Sequence, residues 1–223
     1  MANEIMMQSF EWDTNGDGSF YKNLSKTAKD LKKAGIDALW LPPMCKGGGD
    51  MDVGYGIYDL WDLGEFDQKS TIRTKYGTKD ELIKAIEDLH AAGIKSYADV
   101  VLNHKGNADF KENFKAVMVD QNNREEDVSG EMEIEAWTGF DFEGRKGKYS
   151  DMFWHYYHFT GVDYDAKTDT SAIFRILGDG KYWDEDVSKE KGNFDYLMNC
   201  DIDHTHPEVR EEIFKWVDWF TEE

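Results

Sequence analysis

The sequence predicts an α/β chain built on a parallel sheet, and three observations carry that prediction. A unit made of an amphipathic helix, a glycine, an isoleucine and a short apolar strand occurs twice, with its glycines at Gly35 and Gly93. An apolar stretch that suits a first strand, Ile5 to Phe10, precedes the first copy. After the second copy, from about residue 103 to 200, long helical stripes give way to a Gly- and Asp-rich stretch with a dense aromatic run. Alternating helices and strands imply crossover connections and hence parallel pairing, and the later stretch reads as an irregular, β-rich insertion.

In the first unit Leu24, Ala28 and Leu31 fall at i, i+4 and i+7, a single apolar helical stripe. Gly35 closes the helix, and Ile36 to Leu41 reads as a buried strand ending at Pro42-Pro43. In the second unit Thr78 and Glu81 have the spacing of a capping box, Leu82, Ile86 and Leu89 form the stripe, and Gly93 closes it. Ile94 to Leu102 is the strand expected to follow. Within the insertion, the aromatic run comprises Tyr149, Phe153, Trp154, Tyr156, Tyr157, Phe159 and Tyr164, and Ile173 to Leu177 suits a hairpin strand entering the turn Gly178-Asp179-Gly180. Pro207 suits the first turn of a last helix with Val209, Ile213, Trp216 and Phe220 as its stripe. The repeat then demands a glycine and a strand, so periodicity predicts that residue 223 falls in the middle of a unit.

Composition narrows the function. With 46 acidic against 26 basic residues the formal charge is −20, which repels a phosphate lattice and argues against nucleic-acid or anionic-membrane binding. A hydrophobic content of 40% is ample for a packed core. No stretch approaches the roughly 18 to 20 apolar residues of a membrane span, and the first residues lack the pattern of an export signal. Cys45 and Cys200 belong to no CxxC pair and read as free thiols in a reducing compartment. The pairs His155/His158 and His204/His206 invite zinc, but no cysteine or HExxH spacing supports it.

Three motifs bear on chemistry. Asp13 to Gly18 matches the first half of an EF-hand loop, but position twelve is Leu24 where a bidentate Glu should stand, so it reads as a polar strand-to-helix turn. Asp99-Val-Val-Leu-Asn103-His104 places polar groups at the carboxyl end of a strand, where parallel α/β architectures build their sites. Asp195, Asp201 and Asp203, preceded by Asp184, collect hard oxygen ligands. Alternation puts Asp201 and Asp203 on one side of an extended backbone, where their repulsion is costly without a cation. That cluster suits a cation site or a solvated acidic loop equally.

At these residues the chain resembles the α-amylase family of glycoside hydrolases. Asp99 to Lys105 looks like the family's first conserved region, on the third barrel strand. Val53-Gly-Tyr55-Gly-Ile-Tyr58-Asp59-Leu, Gly64 to Lys69, Arg73 to Thr78 and Phe194-Asp195-Tyr-Leu-Met are similar to the bacterial liquefying type and its cytoplasmic relatives. The resemblance implies a partial (β/α)8 TIM barrel, strands one to three, with an inserted β-rich B domain. Its divisions would be residues 1–102 for the barrel part, 103–204 for the B domain and 205–223 for a barrel helix leading to strand four. It also implies retaining endo-hydrolysis of α-1,4-glucosidic bonds in starch, glycogen or maltodextrins, by two carboxyl groups about 5 to 5.5 Å apart.

Residue by residue, Tyr55 matches the aromatic that stacks on the sugar and His104 the histidine that hydrogen-bonds it. Asn103, Asp195 and Asp201 match ligands of a structural Ca2+, while Asp184 and Asp203 match ligands of an additional metal cluster. Two further acidic positions of that cluster correspond to Thr160 and Thr205, which puts a second calcium and its sodium in doubt. No catalytic carboxylate is assigned: the family's nucleophile motif, Gly-Phe-Arg-x-Asp-Ala, should follow the last helix, and its acid later still. Residues 1–223 alone are therefore expected to be inactive, and the parent protein is expected to be a cytoplasmic monomer acting on α-1,4-glucan. Two alternatives remain at this point: a non-catalytic carbohydrate- or calcium-binding module, and a related α-glucan transferase.

Overall fold

The computed structural model describes residues 3–185, 187 and 195–223. Phe194, from the quoted Phe194 to Met198 motif, lies outside them. The chain divides into two compact units, one of residues 1–101, 143–146 and 223, the other of residues 102–142 and 147–222.

The first unit holds three parallel strands, β1 (Met6–Gln8), β2 (Ala38–Leu41) and β3 (Lys95–Ala98), in the order β1-β2-β3, with α1 (Phe20–Lys33) and α2 (Lys79–Ala91) as crossovers. Met6 pairs with Ala38, and Ala38 with Lys95. Tyr21, Leu24 and Ala28 of α1 and Leu82, Ala85 and Leu89 of α2 are buried, as are Leu39 and Leu41 of β2. The capping box forms as its spacing predicts: Glu81 N–H donates to Thr78 Oγ1 at 3.4 Å and Thr78 N–H to Glu81 Oε2 at 3.0 Å.

Both helices end by one device. Gly35 and Gly93 take φ of +95° and +79°. In each case the next residue reaches back, Ile36 N–H to Leu31 O at 3.1 Å and Ile94 N–H to Leu89 O at 2.9 Å. These are Schellman caps, which satisfy carbonyls the helix would otherwise leave open.

The third strand is shorter and more exposed than its apolar composition implies. Ladder pairing stops at Ala98 rather than running to Leu102, and β3 is mostly exposed. Just past the last paired residue, Asp99 is held through its side chain: Oδ2 accepts from Tyr55 Oη at 2.7 Å and from Trp40 Nε1 at 3.2 Å.

The loop between β2 and α2 is held from within by buried charge. Lys46 and Asp62 are both fully buried, with Nζ 3.1 Å from Oδ2. The ammonium also donates to the carbonyls of Phe66, Thr71 and Ile72 at 2.9, 2.9 and 2.6 Å. Gln68 Nε2 bridges Asp59 and Asp62, at 2.9 Å from each, and Arg145 Nε reaches Asp59 Oδ2 at 2.8 Å. A buried ion pair is tolerable only when its remaining donors and acceptors find partners, as they do here.

The second unit is a six-stranded sheet in the order β4-β9-β7-β8-β5-β6. Its strands are β4 (His104–Lys105), β5 (Phe110–Met118), β6 (Met132–Gly139), β7 (Phe159–Asp165), β8 (Thr170–Ile176) and β9 (Cys200–Ile202), and all its pairings are antiparallel. Strand β8 runs into the turn at Gly178 to Gly180, as expected, and Arg175 closes on Asp127 at 2.9 and 3.0 Å. The final helix, α3 (Pro207–Glu222), buries Val209, Glu212 and Trp216. Cys45 and Cys200 are both buried thiols, not joined in a disulfide.

Candidate functional site

Tyr55 lies in the β2–α2 loop, and three contacts fix its ring. Its hydroxyl donates to Asp99, Trp12 lies nearly parallel to it with ring centroids 6.4 Å apart and 4° between planes, and Tyr76 Oη pins the loop by donating to Val53 O at 2.9 Å. Burial, and then the Asp99 carboxylate, raises the Tyr55 phenol well above its ordinary pKa, so it remains a neutral donor. Trp12 is 69% exposed. The two rings lie parallel, and the exposed indole offers an aromatic face of the kind on which the apolar face of a sugar lies. Neither Trp12 nor Asp99 was among the site residues assigned from sequence. Asp99 carried a signal, its place at a strand's carboxyl end, whereas Trp12 sits in a turn with no pattern to mark it.

In the second unit, antiparallel pairing joins the other assigned residues. His104 pairs with Asp201 and Lys105 with Cys200, while Ile202 N–H donates to Asn103 O at 3.0 Å. Asn103 and Asp201 are thereby neighbours across a ladder despite their separation in sequence. His104 is only 3% exposed, and its Nδ1 lies 3.2 Å from Asn103 Nδ2. Lys105, 1% exposed, puts its ammonium about 5 Å from the rings of Phe140, Phe142 and Trp154. Such a cage stabilises a desolvated cation through the ring quadrupoles.

The Asp195 and Asp201 carboxyls act on each other's proton affinity. Burial first, and then mutual repulsion, raises the proton affinity of Asp201; burial does the same for Asp195, with Asp184 adding repulsion. Asp184 N–H donates to Asp195 Oδ2 at 2.8 Å, and Thr160 Oγ1 donates to Asp201 Oδ2. A buried carboxyl and a half-buried one whose charges oppose each other are a donor set of the right chemistry for a hard divalent cation, which would remove that repulsion. Asn103, whose carbonyl takes the Ile202 N–H, is a further oxygen donor on the neighbouring segment.

Asp203 is different. Oδ2 takes the ammonium of Lys181 and Oδ1 takes both the N–H and the hydroxyl of Thr205, at 3.0 and 2.6 Å. Although burial pushes its pKa up, these donors outweigh burial and leave it below the ordinary carboxylate value.

His158, His206 and Glu208 bring three potential metal-ligand atoms within 4.8 Å of one another. The tautomer of His158 argues against a metal there. His155 N–H donates to Nδ1 at 2.9 Å, so the neutral ring carries its proton on Nε2, which donates to Glu208 Oε2 at 2.9 Å. Binding a metal through Nε2 would require that proton to leave or the Nδ1 bond to break.

A hollow of about 100 Å³ in the second unit is lined by residues that include Asn107, Trp137, Asp163 and Tyr164. Trp137 is 48% exposed. An open indole beside amide and carboxylate groups is a second surface able to take a sugar, and the sequence reading passed over it.

The alpha amylase catalytic domain family matches residues 5–223. The chain is 51% identical over 221 residues to glucan 1,4-alpha-maltohexaosidase of Bacillus sp. (strain 707), covering 99% of this chain and 43% of that protein. Against the alpha-amylase of Bacillus licheniformis the identity is 51%, with 99% and 43% covered. It is 41% for the cytoplasmic alpha-amylase of Escherichia coli (strain K12), with 100% and 46% covered. The chain thus spans less than half the length of these curated relatives. Among solved structures, the trehalose-6-phosphate hydrolase of Bacillus licheniformis superposes with a TM-score of 0.51 at 15% identity, over 98% of this chain and 33% of that one, a likeness of fold alone. The parallel α/β part of the chain is accordingly part of a (β/α)8 barrel and the antiparallel sheet its inserted B domain. From the family match and these near-complete alignments together, the chain belongs to the alpha-amylase catalytic domain family.

Proposed function

We propose that the protein to which this chain contributes is an α-amylase that cleaves internal α-1,4-glucosidic bonds of starch, glycogen or maltodextrins with retention of configuration. The observation that carries the proposal is about 50% identity, sustained across the chain, to proteins named as an alpha-amylase and a maltohexaosidase. In this reading Tyr55 and Trp12 receive the apolar face of a glucose ring and Asp99 holds the Tyr55 hydroxyl; in the second unit, His104 keeps the substrate-binding role that the resemblance gives it. Stacking fixes where the ring lies, and the buried polar partners fix its rotation, which is the positioning an oxocarbenium-like reaction requires. No catalytic carboxylate is assigned within residues 1–223. We keep the division into barrel part (1–102), B domain (103–204) and helix leading to strand four (205–223).

We assign Asn103, Asp195 and Asp201 as calcium ligands. Calcium supplies positive charge that neutralises the two carboxylates and ties β9 to the segment that enters β4. The paired carboxyls with raised proton affinity support this assignment. Likeness to the cytoplasmic Escherichia coli relative supports a cytoplasmic location, and the full-length protein is taken to be a monomer.

The test is hydrolysis of an end-blocked maltoheptaoside by the full-length protein, followed by polarimetry or NMR of the first product. Internal cleavage with the α-anomer released first is expected; release of the β-anomer, or transfer to sugar in place of hydrolysis, would refute the reading. For the metal, chelation is expected to lower the melting temperature of wild type and to leave that of D201N unaffected.

A further inference from the structure

The calcium assignment extends to Asp184, Asp203 and their neighbours only if those residues also suit a cation, and the geometry says that they do not. Asp203 and Lys181 are 6% and 8% exposed in their side chains and in direct contact. Both oxygens of Asp203 already have donors, Lys181 on Oδ2 and Thr205, through N–H and hydroxyl, on Oδ1. The two threonines at the positions where the resemblance calls for acids act as donors: Thr205 to Asp203 and Thr160 to Asp201. Asp184 bears instead on Asp195, through its backbone N–H and its charge.

We propose that the Lys181 ammonium is the resident cation of the Asp203 corner, so that this B domain takes one calcium, at Asn103, Asp195 and Asp201, and no second calcium or sodium. An ion entering at Asp203 would have to displace the ammonium, leaving a buried positive charge beside a new divalent one. It would find two carboxylates and two hydroxyls in place of four carboxylates, and so one net negative charge once Lys181 is counted. Neither condition favours a hard cation over the ammonium already there. The ammonium is also tethered, so unlike a bound ion it is not lost on dilution or chelation.

The inference rests on the calcium reading above, and one experiment separates the two. The full-length protein, D201N and D203N are saturated with calcium and gel-filtered, and the bound calcium per chain is measured by atomic emission. D201N is expected to lose one equivalent and D203N none. If D201N loses nothing, the calcium reading fails; if D203N loses one equivalent, a metal and not Lys181 serves Asp203, and the present inference fails. Wild-type melting at saturating calcium adds a readout that needs no variant. It is expected to be the same in sodium chloride and choline chloride of equal ionic strength, and a sodium-specific rise would overturn the proposal.

Discussion

Acid should unfold this protein through His158 in a window set by its burial. The ring is buried, with its side chain 1% exposed, and desolvation lowers its pKa from 6.5 to about 4, the Glu208 carboxylate opposing only in part. Because the folded-state value lies below the unfolded one, the unfolded chain binds the extra proton between them. Stability is therefore full above pH 6.5 and falls as the pH drops through the window. A shift of this size is worth about 3 kcal/mol once both values are passed, and about 2.5 kcal/mol of it is spent by pH 4.5. The perturbation is H158N, whose amide oxygen can still accept from the His155 N–H but does not titrate. Urea midpoints for wild type and variant, measured from pH 7.5 to 4.5, separate this residue from the carboxylates that also protonate there, since those are common to both proteins. H158N is expected to be the less stable at pH 7.5, because a buried ring is lost, and the gap is expected to close by about 2.5 kcal/mol at pH 4.5. Parallel curves would refute the reasoning and mean that folding leaves the His158 pKa unshifted, whereas a gap that widens toward acid would mean that the ring is protonated against Glu208 in the native state.

Other expectations concern the first unit and the isolated chain. K46M strands Asp62 without its ammonium inside a dry loop and should cost about 3 kcal/mol in urea denaturation; a loss below about 1 kcal/mol would mean the network contributes little. T78A removes one arm of the capping box and should cost about 1 kcal/mol, with T78S close to wild type. Purified residues 1–223 should release no reducing sugar from maltodextrin, and turnover that follows the folded chain through gel filtration would place a catalytic pair within it.

The sequence made the repeated unit legible because its signals are local. Helix stripes, the Thr78/Glu81 spacing and the glycines at 35 and 93 each act within a few residues, and each forms as read. The end of β3 was misjudged because Val100 to Leu102 have strand propensity, while the side-chain demands on Asp99 come from Tyr55 and Trp40, distant in sequence. Propensity yields to tertiary context in such cases. The Lys46 network was invisible for the same reason, as a lysine, two aspartates, a glutamine and an arginine scattered over residues 46 to 145 carry no periodicity. The acidic cluster was visible as composition, yet only the structure distinguishes Asp201, whose proton affinity burial and Asp195 raise, from Asp203, which takes the ammonium of Lys181.

The pairing of His104 with Asp201 also bears on the order in which the chain assembles. The twin capped helices and their strands can form from contacts close in sequence, but the β4–β9 ladder closes a loop spanning nearly half the chain, and closing it must precede any return in contacts. Asp201, one of the carboxylates that repel in the absence of a cation, lies on the strand that closes this loop. Calcium is thus expected to act on the last step of folding, leaving the early units untouched. In pulse-labelled hydrogen exchange during refolding, amides of α1 and α2 should gain protection at a rate indifferent to calcium, while that of Ile202 should gain it faster as calcium is added.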